Sequence, residues 1–317
     1  MERPRVLFMG TPAFAVTVLE ALAAAGYPVV GAVSQPDRET GRKRVLTPPP
    51  VKAAAAAHGI PVLQPARIGT PDSLSACASL APDVIVTAAY GQFLPQRLLS
   101  LPRFGAFNVH ASLLPKYRGG APVQHALLNG ETATGVSVMT MVRAMDAGPV
   151  WAQEAVAIGP DDTSGGLLER LAAAGGGLLV RTLPGILSGA LRPAPQDEAA
   201  ATFAPTLARA DECIDFAQDS RAVYNRIRAL APQPGGFARW GGADFKVWLA
   251  SPLHDWRGGA APGRCVAFAA DGPVVACSRG ALILTRVQPA GRRAVSGAEF
   301  VRTLRAPDAF ALAPAAL

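Results

Sequence analysis

The sequence predicts an α/β chain: a mostly parallel sheet with helices on both faces, followed by a smaller all-β domain. Three observations carry that expectation. Short apolar strands alternate with helical stretches over the first three-fifths of the chain. Those strands are apolar at nearly every position, the mark of strands buried on both faces. The composition then changes at residues 188–206, SGALRPAPQDEAAATFAPT, and short β-like runs follow. A length of 317 residues suits two domains better than one core.

The elements follow in order. RVLFMG is a first strand, and TPAFAVTVLEALAAAG a helix with Thr11 as its expected cap, Pro12 at an early position and Gly26 at its end. YPVVGAVS is a second strand, VKAAAAAHG a helix closed by Gly59, IPVLQP a third strand and PDSLSACASL another helix. PDVIVTAAYG and FGAFNVH are the fourth and fifth strands. APVQHALLNG is a helix, ATGVSVMTMV and GPVWAQEAVAI are strands, and a long helix runs through LLERLAAAGGGLLVRTL, weakened in its middle by Gly175, Gly176 and Gly177. These elements make a Rossmann-like first domain over 1–189, with 190–206 as a linker. Beyond it, SRAVYNRIRAL is an amphipathic helix, and FARW, FKVWLA, GRCVAFAA, PVVACS and ALILTRVQP are short strands. They suggest an OB-like β-barrel over 207–317.

Half the residues are hydrophobic and 17% are charged, as in a globular protein. No apolar run reaches the roughly 20 residues needed to span a bilayer, so no membrane role is expected. The N-terminal MERPRVLFMG has too short an apolar stretch for a secretory signal. Cys77, Cys213, Cys265 and Cys277 are scattered, and neither they nor the four histidines show metal-ligand spacing. Reduced thiols in a cytoplasmic protein without a metal are the expectation. The net charge of +7 favours an anionic partner.

The densest chemistry lies in FNVHASLLPKYRGGAP, residues 107–122. Side chains two apart on a strand share a face, so Asn108 and His110 point the same way near the carboxyl end of a parallel strand. Ligands bind at that edge of open α/β sheets. An amide and an imidazole aimed at one point can hold an oxyanion, and the imidazole can also carry a proton. The plainer alternative is a strand-end histidine bonded to backbone. Asp146, in VMTMVRAMDAGPV, is the candidate carboxylate to orient the imidazole; an aspartate before glycine is otherwise a turn former. GTPAFA after the first strand is not Gly-x-Gly-x-x-Gly, and no ribose-binding acid follows the second strand, which disfavours a nicotinamide cofactor.

FMGTPAFA, SQPDRETGRKRVLTPPPVK, AAYGQFLP, FNVHASLLPKYRGGAPVQ, TGVSVMTMVRAMDAGPV and DDTSGGLLERL occur in the order found in the methionyl-tRNA formyltransferases, and FAPTLARADECIDF and VQPAGRRAVSG continue the likeness. The sequence thus resembles that branch of the folate-dependent formyltransferases over nearly its whole length. The resemblance implies transfer of formyl from 10-formyltetrahydrofolate to the α-amine of methionyl-initiator tRNA. It implies Asn108, His110 and Asp146 as catalytic residues. It associates Ser112, Leu113, Leu114 and Pro115, with Tyr90 and Gly91, with folate binding. A tight turn presenting backbone polar groups and an apolar wall is the physical role expected of Ser112–Pro115. Arg38, Arg42, Lys43 and Arg44, with Arg42 foremost, are placed against the tRNA acceptor end. A monomer with no affinity for DNA completes the expectation.

The second domain adds further arginines, and helical spacing puts Arg221 and Arg228 on one face. The sequence departs from the family pattern at Ala144, Thr206, Ala231 and Gln233. Three other readings compete: formylation of an amino-sugar nucleotide, hydrolysis of the formyl donor, and RNA binding on a scaffold without catalysis.

Overall fold

The computed structural model describes residues 3–41, 44–253 and 256–314. In chain order the elements are β1 (Val6–Gly10), α1 (Ala13–Ala24), β2 (Val29–Val33), β3 (Arg38–Thr40), β4 (Val45–Thr47), α2 (Pro50–Ala57), β5 (Val62–Leu63), α3 (Pro71–Ser79), β6 (Val84–Ala88), α4 (Gln96–Leu99), β7 (Ala106–His110), α5 (Pro122–Leu128), β8 (Ala133–Thr140), β9 (Val150–Ala157) and α6 (Ser164–Leu187). After them come α7 (Ser220–Ala229), β10 (Gly236–Trp240), β11 (Ala243–Leu253), β12 (Cys265–Ala269), β13 (Gly272–Ala276), β14 (Ala281–Pro289), β15 (Val295–Ser296) and α8 (Gly297–Val301). The chain divides into two compact units, the first made of 1–122, 133–157 and 168–205 and the second of 123–132, 158–167 and 206–317.

The first unit is built on one seven-stranded sheet in the order β5-β2-β1-β6-β7-β8-β9. β5, β2, β1, β6 and β7 are parallel, and β8 and β9 add antiparallel strands at one edge. β1 and β6 are buried at every position, as continuous apolar runs require. Helices flank the sheet, so the mostly parallel Rossmann-like architecture stands. The glycines in α6 have a packing reason. A Cβ on Gly175 would sit 2.7 Å from Cγ1 of Val109 in β7, so only a glycine lets helix and sheet approach this closely.

Two regions of this unit differ from the sequence reading. The basic stretch after β2 is not a plain loop, because β3 and β4 pair as an antiparallel hairpin. Of residues 190–206, expected to be a linker, 194–204 lie along the first unit as a hydrogen-bonded strap. Val150 and Ala194 exchange two backbone bonds of 2.8 Å, and Arg118 receives Ala204 N–H at 2.7 Å while donating to Thr202 O at 2.8 Å. Such pairing runs through the main chain, and a proline- and alanine-rich composition gives no sign of it.

The second unit contains an antiparallel sheet ordered β10-β11-β14-β13-β12, with β15 on β14. The C-terminal segment links its two edges: Ala313 bridges Arg239 in β10, and Ala311 bridges Arg264 just before β12. That closure is what a barrel needs to remove free edges. Its core gathers Trp240, Phe245, Phe300 and Phe310 in edge-to-face and tilted ring contacts at centroid separations of 5.0–5.8 Å.

Candidate active site

β7 runs beside β6, with Thr87 in register with Asn108, and ends at His110. The backbone leaves β7 through Ala111 into a turn that returns over the strand end. Asn108 is half-buried, and its Oδ1 accepts the Thr87 hydroxyl at 2.8 Å. That bond fixes which end of the amide faces the sheet. The Nδ2 donors are then left with no acceptor among the described residues, near the carboxyl end of β7. Thr87 is buried, and nothing in the sequence pattern singles it out.

His110 is buried, and its Nε2 lies 3.0 Å from the carbonyl oxygen of Tyr117. A carbonyl only accepts, so Nε2 carries the proton in the neutral ring. Nδ1 is therefore the nitrogen that carries the lone pair in that tautomer. It lies 3.7 Å from Oδ2 of Asp146, a distance for charge attraction and not for a hydrogen bond. The imidazole is thus oriented by the Tyr117 carbonyl, and the Asp146 carboxyl group lies beside its Nδ1. The plain reading of a backbone-bonded histidine is met at Nε2, and Nδ1 is left beside the Asp146 carboxylate.

Asp146 holds its place under strain. Its φ is 48°, in the left-handed region that costs a non-glycine residue about 1–3 kcal/mol. Its Oδ2 accepts the Gly119 N–H at 2.9 Å, and the Gln196 side-chain amide donates to the Asp146 carbonyl at 2.7 Å. Two residues on, a Cβ at Gly148 would meet the Thr140 carbonyl oxygen at 1.8 Å, so the loop can close against β8 only with glycine there.

The Ser112–Pro115 turn adjoins this group. Its polar atoms are largely engaged inside the protein: Ser137 Oγ donates to Ser112 O at 2.6 Å and accepts Leu114 N–H at 3.1 Å, while Gln153 Nε2 donates to Leu114 O at 2.8 Å. Ser112 Oγ donates to Lys116 O at 2.7 Å. The backbone presentation expected of this turn is therefore mostly taken up, and its apolar side chains are what remain for a ligand. Leu114 is buried and Leu113 partly so.

Tyr90 and Gly91 lie elsewhere on the same sheet edge. The Tyr90 ring belongs to the core with Leu7, Met9, Val33 and Ile85, and burial, helped by the neighbouring Cys77, pushes its phenol well above the tyrosine range. What it presents outward is main chain: its carbonyl accepts Thr11 Oγ1 at 2.8 Å and Gln35 Nε2 at 3.2 Å. Thr11 therefore does not cap α1 with its hydroxyl. A groove of about 550 Å³ opens here, with Thr11, Gln35, Arg38, Thr47, Pro49 and Gly91 in its walls. It lies where the sheet order reverses direction between β1 and β6, the crevice that nucleotides occupy in related architectures.

Of the expected tRNA-facing residues, Arg38 and Arg44 are exposed on and beside the hairpin, while Arg42 and Lys43 fall outside the described residues. Arg44 stands 3.6 Å from Glu39, with both side chains open to solvent. At the hairpin base Lys52 bonds Asp37 at 2.8 and 2.9 Å and, together with Gln64, holds that carboxyl below its usual range. In the second unit Arg228 is not on an outward face with Arg221. It is buried, bonded to Asn225 Oδ1 at 3.0 Å and to the carbonyls of Gly159 and Asp162, and burial lowers its affinity for a proton. Helical spacing gave its angle on α7 but not what packs against it.

No helix among the described residues is long and apolar enough to cross a membrane. The family model for formyl transferase matches residues 4–183, and that for the formyl transferase C-terminal domain matches residues 206–305. The methionyl-tRNA formyltransferase of Bacillus pumilus is 48% identical over 301 residues, covering 94% of each chain. That of Enterococcus faecalis is 45% identical over 298 residues, covering 94% of this chain and 95% of its own. Among solved structures, HypX from Aquifex aeolicus in complex with tetrahydrofolic acid superposes with a TM-score of 0.68 at 17% identity, over 95% of this chain and 47% of that one. An N-formyltransferase from Helicobacter canadensis, in complex with folinic acid and dTDP-3-aminofucose, gives 0.67 at 16% identity, over 90% and 99%. These two likenesses speak for the fold. With both family models matched in order and close relatives aligned over nearly its full length, the chain belongs to the formyl transferase family.

Proposed function

We infer that this chain transfers the formyl group of 10-formyltetrahydrofolate to the α-amine of methionyl-initiator tRNA. The observation that supports it most directly is the division of hydrogen-bonding capacity at the end of β7. Asn108 has Oδ1 tied to Thr87 and Nδ2 unengaged, and His110 has Nε2 tied to Tyr117 and Nδ1 beside Asp146. One donor pair and one proton acceptor are thereby left side by side. Attack of a neutral amine on the formyl carbon needs both: a donor for the oxygen that gains charge and an acceptor for the proton the nitrogen sheds.

In this scheme Asn108 Nδ2 donates to the developing oxyanion. His110 Nδ1 takes the amine proton, and the Asp146 carboxylate offsets the charge of the imidazolium so formed. Nδ1–H then returns the proton to the departing folate nitrogen as the tetrahedral species collapses. Leu113, Leu114 and Pro115, near Ser112, give the folate an apolar wall. The main chain at Tyr90 and Gly91 borders the folate as well, and Arg38, Arg42, Lys43 and Arg44 serve the tRNA acceptor end. Charged tRNA and folate as co-substrates fit a cytoplasmic monomer.

The test is formyl transfer from 10-formyltetrahydrofolate to methionine-charged initiator tRNA, with uncharged tRNA and an amino-sugar nucleotide as parallel acceptors. Formylmethionyl-tRNA formed only from the charged species is the expected result. Donor turnover without formylated tRNA, or formylation of the sugar nucleotide instead, would overturn the assignment.

A further inference from the structure

We propose that Gln196 is a positioning residue for Asp146, and that the 194–204 strap holds the reactive carboxylate in place. The proposal rests on the reading that Asp146 takes part in formyl transfer. It starts from a residue under strain: Asp146 is a non-glycine residue with φ at 48°, a conformation kept only where the surroundings over-determine it.

Gln196 supplies much of that determination. Its Nε2 donates to the carbonyls of both Asp146 and Gly148, at 2.7 Å each. A primary amide has two N–H groups, and both are engaged on this one loop. Its Oε1 accepts Nε and Nη2 of Arg118 at 3.0 and 2.8 Å. Arg118 in turn makes a two-pronged pair with Glu198, Nη1 to Oε2 at 2.9 Å and Nη2 to Oε1 at 2.8 Å. The guanidinium is buried, and its own main chain is bonded to Thr202 and Ala204 farther along the strap.

The contacts close on themselves. Gly119, next after Arg118, gives its N–H to Oδ2 of Asp146, and Tyr117, just before Arg118, gives its carbonyl to Nε2 of His110. The turn 117–119 therefore fixes the imidazole on one side and the carboxylate on the other. Gln196 fixes the main chain from which that carboxylate hangs. Without its amide the Asp146 and Gly148 carbonyls lose these donors, the loop is free to leave the left-handed region, and the carboxylate moves from His110 Nδ1. Gln196 touches neither reacting group: its Nε2 acts through the Asp146 loop, and its Oε1 bears on the 117–119 turn through Arg118.

The experiment is steady-state kinetics on the full chain with both co-substrates. Gln196→Glu keeps the acceptor that Arg118 needs and removes both N–H donors; Gln196→Met removes both functions at similar size. Asp146→Asn and the Asp146→Asn/Gln196→Glu double variant complete the cycle. A displacement of about 1 Å can cost on the order of a hundredfold, so kcat is expected to fall about ten- to a hundredfold in either Gln196 variant. KM for donor and for charged tRNA should stay within about twofold, because binding surfaces are untouched. On the Asp146→Asn background, Gln196→Glu should add less than about twofold, as groups acting through one another do. Wild-type kcat in both Gln196 variants would overturn the proposal. So would a loss that adds in full to Asp146→Asn with a matching fall in Tm, the signature of a strap that only stabilises the fold. Near-normal turnover by Asp146→Asn would instead remove the reading beneath it, a different failure from a crippled Asp146→Asn beside an unaffected Gln196→Glu. Should Gln196→Glu not fold, Gln196→Met decides on the same criteria.

Discussion

The end of β7 and the β3–β4 hairpin are both polar and both belong to the first unit, yet they are built on opposite principles. At the end of β7 nearly every polar atom except Asn108 Nδ2 and His110 Nδ1 already has a hydrogen-bond partner among the described residues. Thr87 holds Asn108, Tyr117 holds His110, and Gly119 holds Asp146. The hairpin carries its charges on exposed strands of three residues each, and Arg44 has only a loose ion pair with Glu39. A site that must meet a transition state gains from groups fixed before the substrate arrives, since no reorganisation is then needed during reaction. An arm that meets a large polyanion needs reach and charge, and the partner can supply the ordering on contact. On the proposed function, orientation is fixed where bonds would change and left open where the tRNA would be met.

The largest expected effect tests the fixed half of this comparison. Asn108→Ala should lower kcat about 100- to 1000-fold, the usual cost of one oxyanion donor, with little change in either KM. Single-turnover formylation under saturating donor measures it. A variant that keeps near-normal turnover would make the Asn108 amide a structural group and dissolve the contrast with the hairpin.

A smaller effect sharpens it. Thr87→Val keeps the shape and removes the hydroxyl that donates to Oδ1 of Asn108, so the amide loses what sets its direction. One hydrogen bond of about 0.5–1.5 kcal/mol corresponds to a loss of about two- to tenfold in kcat. Thr87→Ser should recover most of it, and on the Asn108→Ala background Thr87→Val should do nothing more. An equal loss on that background would show the hydroxyl serving β6 and β7 packing alone.

The same contrast explains what the sequence revealed. Asn108 and His110 were legible because strand periodicity is strict, and two residues at the end of an apolar run must share a face. Asp146 was picked from its place just after a strand and before a Gly-Pro turn, a weaker signal because an aspartate before glycine is otherwise a turn former. The partners that orient these three were not legible. Tyr117 acts through its carbonyl and Gly119 through its N–H, groups that every such residue carries. Thr87 lies 21 residues from Asn108, and Gln196 lies 50 residues from Asp146 inside a segment whose composition reads as linker. The α/β layout was legible because apolar strands repeat. The hairpin was not, because Arg38–Thr40 and Val45–Thr47 are short, exposed and without a buried face to give alternation. Arg228 failed for a related reason: spacing along a helix gives an angle, and only packing gives burial.

The smallest effects belong to the hairpin, and they test its half of the comparison. Arg38 is exposed and shares the groove wall with Thr11 and Gly91, so its charge is available to a phosphate at the acceptor end. Arg38→Ala should raise KM for charged tRNA and leave kcat at saturation unchanged, because the contact is equally good before and during reaction. It should also lower the slope of log affinity against log salt by about one, as expected for one lost phosphate contact. Arg44→Ala should shift both quantities less, since Glu39 at 3.6 Å already offsets part of its charge, and an exposed pair of this kind adds little to stability. Filter-binding titrations across a salt series, run beside kinetics at saturating tRNA, separate the two quantities. If Arg38→Ala instead lowered kcat with KM intact, the hairpin would be acting on the reacting groups, and the division between a fixed reaction site and an open recognition arm would fail at its exposed end.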